Sequence, residues 1–177
     1  MTFKPASLLL VGGLSLGIAL PAAQAQTSVP AAVAVPPGHA MVLKTTGVGD
    51  ITYECRDKAG APGQTEWFFA GPKAALKDRS GNPVGEYFGP PATWKANDGS
   101  SITGTQVAIA PAGTGDIPYQ LVKANPAEGK GAMQPVRYVQ RLATRGGVAP
   151  ASACTAQNKG EKQVVEYQAD YLFWADQ

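Results

Sequence analysis

Histidine and cysteine are scarce in this sequence, which has one histidine, His39, and two cysteines, Cys55 and Cys154. Catalytic sites that activate a serine or cysteine usually take a histidine as the base, and zinc or iron sites are built from clusters of His and Cys. Neither kind of site is expected with so few of these residues, and we predict no metal and no cofactor. His39 follows a Pro-Pro-Gly turn and is interpreted as a solvent-facing loop residue.

The sequence also lacks an excess of charge of one sign and a phosphate-binding motif. There are 15 Lys and Arg residues against 13 Asp and Glu, for a formal net charge of +2. Proteins that bind nucleic acid or anionic membranes by charge need a basic surface, so neither partner is expected. Neither G-x-G-x-x-G nor a P-loop occurs, so nucleotide-dependent chemistry has no motif to support it.

Long hydrophobic runs are missing except near the N terminus. Lys4 precedes an apolar run at residues 8–20, and an Ala-Gln-Ala tripeptide follows at 23–25. The run is shorter than the ~20 residues that a membrane-spanning helix needs. A basic start, an apolar stretch and a small-x-small site are together typical of a secretory signal peptide. We therefore predict a signal peptide at residues 1–25, no membrane span, and export to the periplasm or the exterior.

Cys55 and Cys154 both lie in the exported part of the chain. In an oxidising compartment an even pair of cysteines is typical of one disulfide. The sequence therefore predicts a Cys55–Cys154 bond. It would close a loop of about a hundred residues, for which the chain-entropy model gives roughly 4–5 kcal/mol of stabilisation.

After the signal peptide, the composition divides the chain into two parts. Residues 26–37 are rich in Ala, Pro and Val, carry no charge, and are interpreted as a linker or N-terminal arm. Residues 38–177 are predicted to form a single all-β domain, which is long enough to bury a core.

Sustained helical periodicity is absent, and 21 glycines and 15 prolines interrupt the chain every few residues. Apolar and polar side chains alternate at residues 51–55 and, most clearly, at 165–174, which is typical of strands with one buried face. Further short segments lie between turn signals. Residues 41–46 are a predicted strand before a turn flanked by Gly47 and Gly49, and residues 73–77, which follow an aromatic-rich segment at 66–70, could form a helical turn or a short strand. The sequence therefore predicts an antiparallel β-barrel or β-sandwich of about nine to eleven short strands.

Residues 85–104 combine several of these signals. A Gly-Pro-Pro segment at 89–91 precedes a strand that contains Trp94, and Asp98-Gly99 is a dipeptide typical of a tight hairpin turn. Calcium binding through Asp98 is the alternative, although the run matches no complete calcium loop. Tyr87 and Trp94 flank the Gly-Pro-Pro segment, which is interpreted as an exposed irregular loop.

Aromatic residues provide the leading functional hypothesis. Aromatic rings offer a large apolar surface to a ligand, and Tyr and Trp add a polar group. The predicted ligand-binding residues are Tyr87, Trp94, Glu86 and Trp67, and the predicted partner is a small apolar molecule or a glycan. The oligomeric state stays open.

Two other functions remain open at this point. A polysaccharide hydrolase could be built from two carboxylates about 5–9.5 Å apart. The alternative to both is a structural or surface-interaction protein without a small ligand. The carboxylate candidates are Glu54, Glu66, Glu86, Asp98, Asp116, Glu166 and Asp170.

Several blocks in a fixed order resemble a known family. They are GVGDITYEC at 47–55, Trp67 within EWFFAGPKAAL, TWKANDGSSITG at 93–104, YVQRLATRGGVAP at 138–150, and YQADYLF at 167–173. Over about residues 35–174 the chain resembles the domain of unknown function 3455 family of secreted bacterial and fungal proteins. The resemblance implies a secreted β domain and brings no assigned activity. In that family a histidine often precedes the aromatic residue of the Gly-Pro segment, where this chain has Glu86 and Tyr87.

Overall fold

The computed structural model describes residues 1–2 and 29–177. Residues 3–25 of the predicted signal peptide therefore lie outside the described part. The described chain contains eight strands and two short 3₁₀ helices, Ala31–Val33 and Ala156–Asn158. The strands are β1 (His39–Asp57), β2 (Thr65–Lys77), β3 (Pro83–Phe88), β4 (Thr93–Ala96), β5 (Ser101–Ala110), β6 (Tyr119–Ala124), β7 (Val136–Gly146) and β8 (Lys162–Asp176).

The eight strands form one closed barrel in which each strand is antiparallel to its neighbours in sequence. β8 pairs with β1 and closes the ring. The predicted all-β class is confirmed, and its architecture is a barrel. The described residues contain eight strands rather than the expected nine to eleven, because two pairs of predicted short strands are each one long strand.

Gly47 and Gly49 explain the first difference. The sequence suggested a turn at these glycines, whereas the structure runs β1 straight through them. A Cβ at Gly47 would fall against the ring of Tyr171, and one at Gly49 would overlap the backbone of Lys73 and Ala74. These glycines therefore allow close packing inside a strand.

Gly71 explains the second difference. β2 continues through Gly71 and Pro72 into residues 73–77, which the sequence left open between a helical turn and a strand. A register shift at this point leaves Ala70 without a partner on β1, as in a β-bulge. Gly71 has a positive φ of 150°, and a Cβ there would overlap the carbonyl of Gly89.

The interior of the barrel is filled by side chains. Tyr87 stacks on Trp94 with ring centroids 4.8 Å apart, and Tyr171 packs against both rings. The alternation predicted for residues 165–174 is confirmed, because every second residue of β8 from 167 to 175 is buried. The buried core residues include Ile51, Leu76, Ile102, Val122, Val139, Tyr167, Ala169 and Phe173.

A second, smaller apolar cluster lies on the outer face of the barrel. Val33, from the first 3₁₀ helix, is fully buried there against Ala110 and Leu121. The side-chain amide of Gln140 donates a hydrogen bond of 2.7 Å to the Val33 carbonyl. The described part of the predicted N-terminal arm therefore packs against β5, β6 and β7.

The predicted disulfide between Cys55 and Cys154 is confirmed. It ties β1 to the loop between β7 and β8, which crosses one end of the barrel. We call this the upper end; the loops 58–64 and 111–118 also lie there. Such a bond is typical of proteins from an oxidising, exported environment.

Residues 85–104 form a β3–β4–β5 meander. The predicted Asp98-Gly99 turn is confirmed, because Asp98 accepts hydrogen bonds from the backbone amides of Ser100 and Ala132. The expectation that Tyr87 is exposed beside the Gly-Pro-Pro loop is wrong. Tyr87 lies in β3 and is 5% exposed, because its partner across the strands is Trp94 and both rings point into the core.

Candidate functional site

The barrel wall is incomplete at its upper end because β3 and β4 are short. β2 pairs with β3 only over residues 73–77, so its residues 65–72 have a free edge. β5 pairs with β4 only over residues 101–103, so its residues 104–110 also have a free edge. We call this opening the notch; the β3–β4 turn at residues 89–92 forms its floor.

The width of the notch follows from strand spacing. Neighbouring strands lie about 4.8 Å apart, and two strands are missing between β2 and β5. Three spacings leave a gap on the order of 14 Å. This distance separates the two backbone edges, and side chains from both strands project into the gap.

Apolar side chains line both walls of the notch. Phe69 of β2 is the register partner of Tyr53, whose side chain points into the barrel, yet Phe69 is 46% exposed. Ile109 of β5 lies on the same face as Gln120, and it is 51% exposed. Solvent therefore reaches inward-directed side chains through the notch.

The loop between β7 and β8 covers the inner side of β2 next to the notch. The indole nitrogen of Trp67 donates a hydrogen bond of 2.7 Å to the Ser152 carbonyl, and Thr65 donates one of 2.8 Å to the Cys154 carbonyl. The disulfide holds the same loop. The loop therefore packs against the β2 wall, and the disulfide fixes the loop to β1.

Polar side chains continue inward from the β5 wall. Ile109, Gln120, Arg141 and Tyr171 are successive register partners across β5, β6, β7 and β8. Register partners share a face, so this row lies on the inner face of the barrel. Gln120 donates a hydrogen bond of 2.6 Å to Gln106 on β5, and Arg141 donates two, of 3.2 and 2.9 Å, to the Pro118 carbonyl.

Four tyrosine hydroxyls lie within the electrostatic reach of Arg141. Desolvation by burial raises the pKa of Tyr53, Tyr87, Tyr167 and Tyr171, and the positive charge of Arg141 acts in the opposite direction on each. The Tyr167 and Tyr171 hydroxyl oxygens are 3.2 Å apart, and Tyr53 donates to the Gly147 carbonyl at 2.8 Å. The core therefore holds several protonated tyrosine hydroxyls and one nearby cation, Arg141.

The predicted ligand-binding residues do not converge on one surface. Tyr87 and Trp94 come together in the core, where Trp94 is 1% exposed. Glu86 lies on the outer face with Lys95 as its register partner. Trp67 is the one member that lies beside the notch, on the wall formed by β2.

The predicted carboxylates serve mainly in ion pairs and turns. Asp170 contacts Lys44 at 2.8 Å, and Glu54 contacts Lys162 at 3.8 Å. Asp116 accepts a hydrogen bond of 2.6 Å from the Gly146 amide.

Asp98 illustrates why such a turn carboxylate is a poor general acid. Hydrogen bonds from the Ser100 side chain, the Ala132 amide and the Ser100 amide lower the pKa of Asp98. A general acid at neutral pH needs a pKa shifted upward.

Phe69, Ile109, Gln120 and Arg141 are the residues that sequence reasoning missed. One local signal was present, because the adjacent Phe68 and Phe69 break the alternation of β2. The exposure of Phe69 and Ile109 depends on how β3 and β4 compare in length with β2 and β5, and no local pattern marks that relation.

A second groove lies along the lower part of β1. Its volume is about 510 Å³, and it runs between Met41 and the turn at Arg79. Lys44, which lines this groove, is already paired with Asp170, and Thr46 donates a hydrogen bond of 3.0 Å to the same carboxylate. These three side chains are thus paired with one another within the protein.

Two further observations concern the described residues only. No cluster of three or more His, Cys, Asp or Glu side chains in this part of the chain is arranged to hold a metal ion. None of its helices is long and apolar enough to cross a membrane.

The fold and the site define the class of the protein: an eight-stranded antiparallel β-barrel with one disulfide and a notch in its wall. The chain belongs to the family described as Protein of unknown function (DUF3455), whose model matches residues 36–175. The family resemblance in the sequence is thereby confirmed. No curated protein and no solved structure matches the chain.

Proposed function

We propose that this protein is an exported binding module and that its ligand is a small apolar molecule held in the notch. The observation that carries the proposal is the exposure of two inward-directed apolar side chains, Phe69 and Ile109, on facing walls of the notch. Apolar side chains exposed together in a concave site gain free energy when a ligand covers them.

The surroundings of the notch support a preformed site. The β2 wall is held by hydrogen bonds from Trp67 and Thr65 to the loop that the disulfide pins. Gly71 packs against Gly89 and so holds the floor against the same wall. A site that is rigid before binding loses less conformational entropy when the ligand arrives.

The ligand contacts in this proposal differ from those that the sequence suggested. Trp67 keeps a place at the wall of the site, whereas Tyr87 and Trp94 support it from the core. Glu86 lies on the opposite face of β3 from Tyr87 and takes no part in the proposed site. Localisation in the periplasm or outside the cell belongs to the same proposal and rests on the predicted signal peptide and on the disulfide.

The proposal is tested by titrating the purified protein with 3-phenylpropanamide, a neutral apolar probe, in a calorimeter. Phe69→Ser removes an aromatic wall residue and should weaken binding about tenfold, since burying such a side chain is worth about 1.5–3 kcal/mol. Val164→Ser is the matched control, because Val164 is 62% exposed on the outer face of β8. It should leave the affinity unchanged.

Two results would argue against the site. Equal weakening by Phe69→Ser and Val164→Ser would place the ligand elsewhere or show a general effect on the fold. If the probe does not bind at millimolar concentration and a neutral oligosaccharide does, the ligand is a glycan rather than an apolar molecule.

A further inference from the structure

Arg141 is a partly buried cation without an anionic partner. The described residues form five contacts between a basic and an acidic side chain, and none of them includes Arg141. Its hydrogen bonds there go to one carbonyl, that of Pro118, through Nε and Nη2. The Nη1 group has no acceptor among the described residues, so part of the guanidinium fork is available to a ligand.

The position of Arg141 relates it to the notch. It lies two strands inward from Ile109, on the order of 10 Å along the hydrogen-bonding direction, and its long side chain shortens that distance. Gln120 lies between the two and is itself only partly buried. A ligand that covers Phe69 and Ile109 therefore faces Arg141 with its inner end.

We infer that the ligand is an organic acid, with an apolar body between the walls of the notch and a carboxylate that pairs with Arg141. The inference rests on the proposed function and adds the chemical class of the ligand. A planar guanidinium binds a carboxylate through two parallel hydrogen bonds, and these charge-assisted bonds are stronger than neutral ones. The partial burial of Arg141 reduces competition from water and strengthens the pairing.

The neighbouring groups favour an anion over a cation or a neutral molecule. The Gln120 side-chain amide lies between Ile109 and Arg141, and beside the N–H that it donates to Gln106 it has a second one that can donate to a carboxylate. Burial raises the pKa of Tyr87 and Tyr171, so both hydroxyls keep their protons at neutral pH and add no negative charge to the site.

The test compares 3-phenylpropanoate with 3-phenylpropanamide, which share a carbon skeleton and differ in charge. The wild-type protein should bind the acid at least about tenfold more tightly than the amide, as expected for hydrogen bonds to a charged group. Arg141→Met keeps most of the side-chain length without the charge and should abolish the preference. Arg145→Met, on the exposed outer part of β7, should retain it.

Equal affinity of the wild-type protein for acid and amide would overturn the inference and leave the proposed function intact. A preference for the acid that survives in a folded Arg141→Met variant would also overturn it. If neither probe binds, the inference and the proposed apolar site both fail. The comparison on the wild-type protein remains decisive if Arg141→Met does not fold.

Discussion

The tyrosines inside the barrel show how single residues give the core its chemistry. Tyr87, Tyr167 and Tyr171 are buried, and desolvation raises the pKa of each hydroxyl. In the unfolded chain these groups titrate near the ordinary tyrosine value of 10.0. The folded protein therefore holds protons that the unfolded chain releases at alkaline pH.

This difference predicts alkaline destabilisation. Above about pH 10 the unfolded state binds fewer protons than the folded state, so the free energy of unfolding falls as pH rises. Each such group contributes a slope of up to about 1.4 kcal/mol per pH unit. Stability should be unaffected by these groups at neutral pH and should decrease through the range from about pH 10 upward.

Denaturant unfolding followed by tryptophan fluorescence from about pH 9 to about pH 11 measures the effect. Tyr87→Phe removes one titrating group from the core and should make the decline less steep. A free energy of unfolding that stays level over this range would contradict the burial of these hydroxyls, as would an identical decline in the variant.

Residue patterns alone predicted some of this core and missed the rest. The alternation around Tyr167 and Tyr171 was readable, because a strand with one buried face repeats every two residues. Tyr87 was expected to be exposed, because it is followed closely by Gly89 and Pro90. Its burial depends on pairing with Trp94 across a turn, and sequence composition gives no measure of that pairing.

Among the structural elements, the loop between β7 and β8 is held by contacts to several parts of the barrel. It crosses the upper end of the barrel, accepts hydrogen bonds from Trp67 and Thr65, and is joined to β1 by the disulfide. The bond connects residues 99 positions apart in the chain. Cross-linking such distant positions restricts the unfolded chain strongly.

Replacing both cysteines, Cys55→Ser with Cys154→Ser, should therefore lower the free energy of unfolding by about 2–5 kcal/mol. Urea denaturation of the variant and of the oxidised wild-type protein measures the loss. The reduced wild-type protein is the matched control and should behave like the variant. An unchanged urea midpoint in both would mean that the loop is held without the disulfide.

The lengths of the strands could not be predicted from the sequence. Gly47 and Gly49 suggested a turn between two strands, although each makes room for a neighbouring backbone or ring. β3 ends early and β4 begins late, which creates the notch, and both matter only in relation to the longer β2 and β5. Such a relation between distant segments has no signature in any one window of sequence.

The whole molecule is a barrel whose interior is filled by side chains and whose wall is open at the notch. The core leaves no role for Tyr87 and Trp94 as surface contacts, while the notch exposes Phe69 and Ile109 beside the polar row that leads to Arg141. The disulfide and the packed floor hold the two walls in place. Binding is therefore expected at the notch rather than in the groove along β1.

The most direct test of this central claim is a ¹⁵N-resolved NMR titration of the wild-type protein with 3-phenylpropanoate. We expect the largest changes in backbone amide chemical shift at residues 65–72 of β2 and 104–110 of β5, with smaller changes near Gln120 and Arg141. Shifts concentrated at residues 41–46 of β1, or no shifts at saturating probe, would contradict it.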